Sequence, residues 1–168
     1  RVEVSTDEDS MSPLNMPDLV RQLITDAQWL NQEKQHQINI DIDTELDILG
    51  IETEIKSACA NLISNAIAYT PHNGQIDIRW QRNGNKATFS VKDNGPGIRP
   101  EDINRLTERF YRVDKSRSRN TGGSGLGLAI VKHVLHHHNA ELSITSKWQK
   151  GSEFAIIFEE SSLTDRHE

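Results

Sequence analysis

The chain has 168 residues, 35% of them hydrophobic and 26% charged, with a formal net charge of -6 at pH 7. That length suits one domain with a proper core, and no apolar run approaches the roughly 18 residues of a membrane-spanning helix. The acidic balance excludes nonspecific nucleic-acid binding, which needs positive charge to displace counterions from phosphates.

Residues 1–15 are polar and without period, and a start on Arg1 with no apolar leader reads as a piece of a longer protein. Pro17 opens a helix over 17–34, where Leu19, Leu23, Ala27 and Leu30 recur at helical spacing. Residues 37–42 alternate strictly and read as a strand, followed by a short one over 46–49 that Gly50 breaks. The strongest pattern is a second helix over 52–69, with Ile55, Ala58, Cys59, Leu62, Ile63, Ala66 and Ile67 on one stripe. Pro71 and Asn73-Gly74 end it. Cys59, the single cysteine, reads as a small core residue in a reducing cytoplasm. Alternating runs 75–81 and 86–92 flank Asn83-Gly84 and read as a hairpin. A long stretch then runs to Gly123 with little apolar pattern beyond Ile103, Leu106, Phe110 and Val113, and a connection of that length is usually functional. A third helix over 124–138 precedes a last strand pair, 141–146 and 153–158, around Lys150-Gly151, and the final eight residues read as a frayed tail. The expected architecture is a layer of helices on one face of a mixed sheet.

Two glycine-bearing segments and one helix face carry chemistry. Residues 122–128 (GGSGLGL) run directly into an apolar helix. Glycines admit a close ligand, and a helix start offers free N–H groups and partial positive charge, a combination that suits phosphate. No Lys followed by Ser or Thr closes the segment as in a P-loop, and its glycine spacing is not that of a dinucleotide site. Alone it is equally a flexible helix entry. Residues 93–97 (DNGPG) follow a strand and alone read as a tight turn. An Asp fixed there can still accept a hydrogen bond from an exocyclic amine, while neighbouring glycines leave room for a flat base. Asn61 and Asn65 share a face of the second helix. They read either as locally bonded amides or as oxygen ligands of Mg²⁺, a hard cation that shares its coordination with nucleotide phosphates. His133 and His137 have the same spacing, which admits a metal site, but without an HExxH pattern they read as a solvent-facing helix end.

In order and spacing these segments resemble the sensor histidine kinases. Residues 61–70 (NLISNAIAYT) are similar to the N box, 93–98 (DNGPGI) to the first glycine box, 108–112 (ERFYR) to the F box and 123–128 (GSGLGL) to the second glycine box. Residues 150–154 (KGSEF) are similar to the glycine turn that ends the domain, and 108–133 resembles the phosphate-regulon branch in particular. The resemblance implies a two-layer α/β sandwich of the Bergerat (GHKL) type, shared with gyrase, Hsp90 and MutL. Its sheet is mixed and mostly antiparallel, with about five strands packed on three helices. It implies a linker remnant at 1–14, an ATP-binding catalytic domain at 15–160 with a lid at about 99–122, and a C-terminal tail at 161–168.

Carried onto the matching positions, the resemblance implies that Asp93 binds the adenine amino group, with Gly95 and Gly97 shaping that pocket and Tyr69 near the base. Asn65, with Asn61 close by, ligates Mg²⁺. Phe110 anchors the lid with Tyr111 beside it, and Arg112 reaches the terminal phosphate, Asn65 and Arg112 being the catalytic pair. Lys115, Arg117 and Arg119 add positive charge to the lid, while Gly123, Gly125, Leu126 and Gly127 hold the phosphate chain. The implied activity is that of a protein-histidine kinase using ATP and Mg²⁺. The acceptor His lies on dimerisation helices, the phosphoryl group passes to a response-regulator receiver domain, and the parent is a homodimer anchored in the bacterial inner membrane. No His of this chain matches the acceptor motif, so the chain alone is not expected to autophosphorylate, nor to touch membrane or nucleic acid. Hydrolysing relatives place a Glu four residues before the Mg²⁺-binding Asn; here Asn61 stands there, and an amide cannot take a proton from water. The chain departs from the family at Ala68, in place of a basic residue, at Ile51, in place of Asp, and at Thr107 before the F box. The competing readings are a degenerate nucleotide-binding regulatory module of this fold and an anti-sigma-type Ser/Thr kinase. A chaperone-like clamp is disfavoured by Asn61.

Overall fold

The computed structural model describes residues 11–103, 105–106 and 127–165. In chain order the elements are β1 (Ser12–Leu14), α1 (Met16–Lys34), β2 (Gln37–Ile42), β3 (Leu46–Gly50), α2 (Glu52–Tyr69), β4 (Gln75–Asn83) and β5 (Lys86–Asp93). The single turn α3 (Pro100–Ile103), α4 (Gly127–His137), β6 (Ala140–Lys147), β7 (Gly151–Phe158) and β8 (Leu163–Asp165) follow.

Alternation builds the main sheet. Ile76, Ile78 and Trp80 of β4 and Ala87, Phe89 and Val91 of β5 turn to the core, while Asp77, Arg79 and Lys92 turn away from it. The strand order is β2-β4-β5-β7-β6, with β2 and β4 parallel and every other pair antiparallel. α2 packs between α1 and α4 over the buried face, its Ile55, Cys59, Leu62, Ile63 and Ile67 meeting the strands. Trp80 meets Phe158 edge-on with ring centroids 5.9 Å apart and donates its indole N–H to the Leu46 carbonyl at 2.8 Å. Burial raises the Cys59 thiol pKa well above its ordinary value, which suits a core residue.

The ends of the helices are tied by specific groups. Asn15 caps α1, accepting the Asp18 N–H at 3.1 Å, and Pro17 occupies its first turn. Ile51 gives α2 no side-chain cap, and its N–H is taken instead by His138 Nε2 at 3.1 Å. At the other end of α2 the last carbonyls are captured from the α1–β2 junction. Lys34 Nζ donates to Ala68 and Thr70 at 3.0 and 3.1 Å, and His36 Nε2 to Ile67 at 3.0 Å.

Several expectations are corrected. Ser12–Leu14 and Leu163–Asp165 fall in stretches read as patternless or frayed, yet both pair antiparallel with β3 and make a second, three-stranded sheet in the order β1-β3-β8. Gly50 closes β3 rather than breaking it, pairing with Ser12. The hairpin turn is Gly84-Asn85, one residue later than expected, because Asn83 pairs with Lys86 and Gly84 takes the positive φ of 66°. Among the described residues no helix is long and apolar enough to cross a membrane.

Candidate functional site

One stripe of α2 organises the site. Asn61, Asn65 and Tyr69 succeed one another at four-residue intervals beside the buried stripe, so they line its edge: both amides are half-buried and Tyr69 is 40% exposed. The Asn61 amide donates Nδ2–H to the Ser57 carbonyl at 2.9 Å. Its oxygen faces the start of α4, where a Cβ added at Gly127 would lie only 2.8 Å from Asn61 Oδ1. Gly127 therefore approaches Asn61 more closely than a residue with a side chain could without displacing that amide.

The first glycine segment meets the other end of the same helix. Asp93 closes β5, held between Ile76 of β4 and Ser152 of β7, so the sheet fixes its backbone. Its Oδ1 accepts the Gly95 N–H at 2.8 Å. Burial pushes the carboxyl pKa above its ordinary value, while the backbone N–H groups of Gly95 and Ser152, and then His36, pull it back down. Asn94 turns the other way and accepts the Gln75 N–H at 2.9 Å. A Cβ at Gly95 would sit 3.0 Å from Asp93 Oδ1 and 3.3 Å from Thr70 Oγ1, so the notch left by that glycine is walled by both oxygens. Thr70, 1% exposed, ends α2, and its Oγ1 is the single buried side-chain polar atom without a hydrogen-bond partner among the described residues. An unpaired buried hydroxyl costs about 1–3 kcal/mol. Its persistence beside an exposed Tyr and a half-buried carboxylate marks a polar niche. Gly97 serves a different neighbour: at φ 77° its Cα packs on the Lys147 carbonyl, which a Cβ would overlap.

The donor set fits a nucleotide and a hard cation. A carboxylate at a strand end and a glycine notch suit an amine-bearing base, and an amide oxygen at a glycine-started helix suits phosphate with its counter-ion. Thr70 and Asn61 are nine residues apart on α2, about 14 Å at helical rise, so base and phosphates are accommodated along one wall. Of the residues singled out from sequence, the structure brings together Asp93 with Gly95, and Asn61 with Gly127. Phe110, Tyr111, Arg112, Lys115, Arg117, Arg119, Gly123, Gly125 and Leu126 lie outside the described residues, as does most of the stretch 99–122 expected to form a lid. At the start of that stretch Pro100–Ile103 forms one helical turn, and Leu106 is buried.

The histidine-rich end of α4 is not simply solvent-facing. His133 is exposed, but His137 Nδ1 lies 2.9 Å from Glu54 Oε1 and His138 is buried. Glu54, His137 and His138 have the composition of a metal site. Both nitrogens of His138 are nevertheless engaged, Nε2 accepting Ile51 N–H and Nδ1 donating to Val134. The trio clamps the end of α4 to the start of α2. Sequence reading missed Thr70 and His36. The former appears only as the last residue of the 61–70 match, with no role assigned to it, and nothing in the pattern marks the latter, although its Nδ1 accepts the Gly74 N–H at 3.0 Å.

Residues 50–162 match the family described as histidine kinase-, DNA gyrase B-, and HSP90-like ATPase. The phosphate regulon sensor protein PhoR of Pseudomonas aeruginosa is 46% identical over 153 residues, covering 91% of this chain and 34% of that protein. The chain thus spans about a third of the length of the curated relatives it matches. Full-length ShkA in complex with AMPPNP is similar with a TM-score of 0.75 at 26% identity, covering 89% of this chain and 31% of that one. The histidine kinase ThkA in complex with the response regulator protein TrrA is similar in fold, with a TM-score of 0.73 at 22% identity over 89% of this chain and 42% of that one.

Proposed function

The chain belongs to the histidine kinase-, DNA gyrase B- and HSP90-like ATPase family, and from that premise we propose that it is the ATP-binding catalytic domain of a two-component sensor histidine kinase. The observation that carries this reading is the shared wall of α2, which meets the Asp93–Gly95 loop at Thr70 and the start of α4 at Asn61. Asp93, oriented by backbone N–H groups, accepts a hydrogen bond from the adenine amine, and Tyr69 packs near the base. Asn65 and Asn61 offer amide oxygens to Mg²⁺, which when bound neutralises phosphate charge. Arg112 reaches the terminal phosphate, Lys115 adds positive charge to the lid, and the backbone of Gly123, Gly125, Leu126 and Gly127 holds the chain of phosphates. Phe110 and Tyr111 secure the lid.

Asn61 has no basic atom to activate water, which favours transfer to a nucleophile brought from outside. His36 and His138 have both ring nitrogens engaged, so neither is that nucleophile. The acceptor is a His on dimerisation helices of the parent protein, and a response-regulator receiver domain takes the phosphoryl group next. The similarity to the phosphate regulon sensor protein PhoR supports a parent acting in a phosphate regulon; its membrane anchor and homodimeric state are carried from the family resemblance alone.

Calorimetric titration of a non-hydrolysable ATP analogue with Mg²⁺ into this chain and its Asp93→Ala variant tests the reading. Binding that the substitution abolishes, with circular dichroism unchanged, is expected; adding a His-bearing helical hairpin to the unmodified chain with ATP then yields phosphohistidine. Equal affinity of both chains overturns the assignment of Asp93. Absence of binding by the folded, unmodified chain favours the regulatory-module reading.

A further inference from the structure

β6 and β7 are joined by a turn at 148–150 that grips the segment following Asp93. Ile98 donates its N–H to Ser146 Oγ at 2.7 Å, and Gln149 donates its N–H to the Pro96 carbonyl. Gly97 packs on the Lys147 carbonyl, and the Arg99 guanidinium lies 5.0 Å over the Trp148 ring. Ser146 also reaches back to the strand that holds the carboxylate. Its hydroxyl donates to Gly151 O at 3.1 Å and stands 3.0 Å from Ser152 Oγ, while Ser152 pairs with Asp93 and supports its carboxylate through the backbone. One hydroxyl proton and two lone pairs are thereby used: Ile98 N–H and the Ser152 hydroxyl donate in, and the proton goes out to Gly151.

We propose that Ser146 is a positioning residue for base recognition, its hydroxyl fixing the loop of Gly95 and Gly97 against Asp93 so that an adenine nucleotide is read by both. The Trp148 turn holds the same loop from outside. This inference rests on the reading of Asp93 as the base-binding residue. An Asp alone selects an amine, but selecting adenine over guanine also requires the loop that follows it at a fixed distance, and Ser146 ties that loop to the sheet through the Ile98 N–H.

The test compares Ser146→Ala, Ser146→Thr and Arg99→Gln in this chain for affinity to ATP and GTP analogues with Mg²⁺, alongside thermal midpoints. Ser146→Ala is expected to lower ATP-analogue affinity roughly tenfold, the size of one lost hydrogen bond, and to narrow the ratio between ATP and GTP analogues. Its midpoint falls modestly, because the Ile98 N–H loses its acceptor, and that loss is read apart from the ATP-to-GTP ratio. Ser146→Thr restores both affinity and ratio. Arg99→Gln, which leaves the hydroxyl in place, shows a smaller change in the same direction and stands in for Ser146→Ala if that variant does not fold. An unchanged ratio in Ser146→Ala, or in Arg99→Gln where it stands in, overturns the proposal, as does an affinity loss that Ser146→Thr fails to restore. If Asp93→Ala abolishes binding while these variants do not alter selectivity, this inference alone falls; if Asp93→Ala binds normally, the reading beneath it falls as well.

Discussion

The two ends of α2 are built on different principles. At Thr70 every neighbour is fixed from several sides: Asp93 by strands β4 and β7, the helix carbonyls by Lys34 and His36, the glycine loop by the turn at 148–150. At Asn61 the amide is held by its own helix, through the Ser57 carbonyl, and its oxygen faces Gly127 at the start of α4, a neighbour that belongs to no strand ladder. Recognition of a base rewards fixed distances, because a misplaced donor is left unpaired in a partly buried site. Phosphates and their cation are held by charge and by many equivalent oxygens, which tolerate adjustment. The contrast predicts that substitutions at the two ends fail in different ways.

The largest effect comes from Asp93 itself. Burial raises its pKa in the folded chain, so the folded state holds the proton more tightly than the unfolded one. Its contribution to stability is then greatest below the unfolded value and declines as pH rises through the folded one, while base binding, which needs the carboxylate, has the opposite slope. Titrating downward from neutral, ATP-analogue affinity falls by about tenfold per pH unit below the folded pKa. Calorimetry across that window checks it, with Asp93→Asn as the control that binds weakly and lacks the slope; a flat profile in the unmodified chain breaks the assignment. Next, Gly127→Ala pushes a methyl group onto Asn61 Oδ1 and lowers ATP-analogue affinity roughly tenfold, about 1.4 kcal/mol, while adenosine binding changes little. Equal losses for both ligands erase the division between the ends. The smallest effect is Thr70→Val, which replaces an unpartnered hydroxyl by a methyl and raises stability by about 1 kcal/mol. Denaturant melts read it, and a loss of stability shows that the hydroxyl is paired in solution.

Much of this was legible because period and chemistry coincide. The stripe of α2, the alternation of β4 and β5, and Asp93 at a strand end followed by glycines are each local patterns. β1 and β8 were not legible: three residues hold no period, and their pairing with β3 spans the chain. Nor did any local signal join Ser146 to Ile98 or His36 to Gly74, since those bonds depend on which turns the sheet brings side by side. Asn61 was legible as a polar residue on a useful face, but the direction of its oxygen follows from the bond to Ser57.

The small sheet has a mechanical consequence. β1 enters beside Gly50 and β8 leaves beside Leu46, each antiparallel to β3 on opposite sides. Tension applied between Ser12 and Asp165 therefore pulls the two outer strands in opposite directions along β3, loading their hydrogen bonds in shear rather than peeling them one at a time. β3 runs straight into α2, so strain on that sheet is delivered first to the helix that faces both the Asp93–Gly95 loop and Gly127.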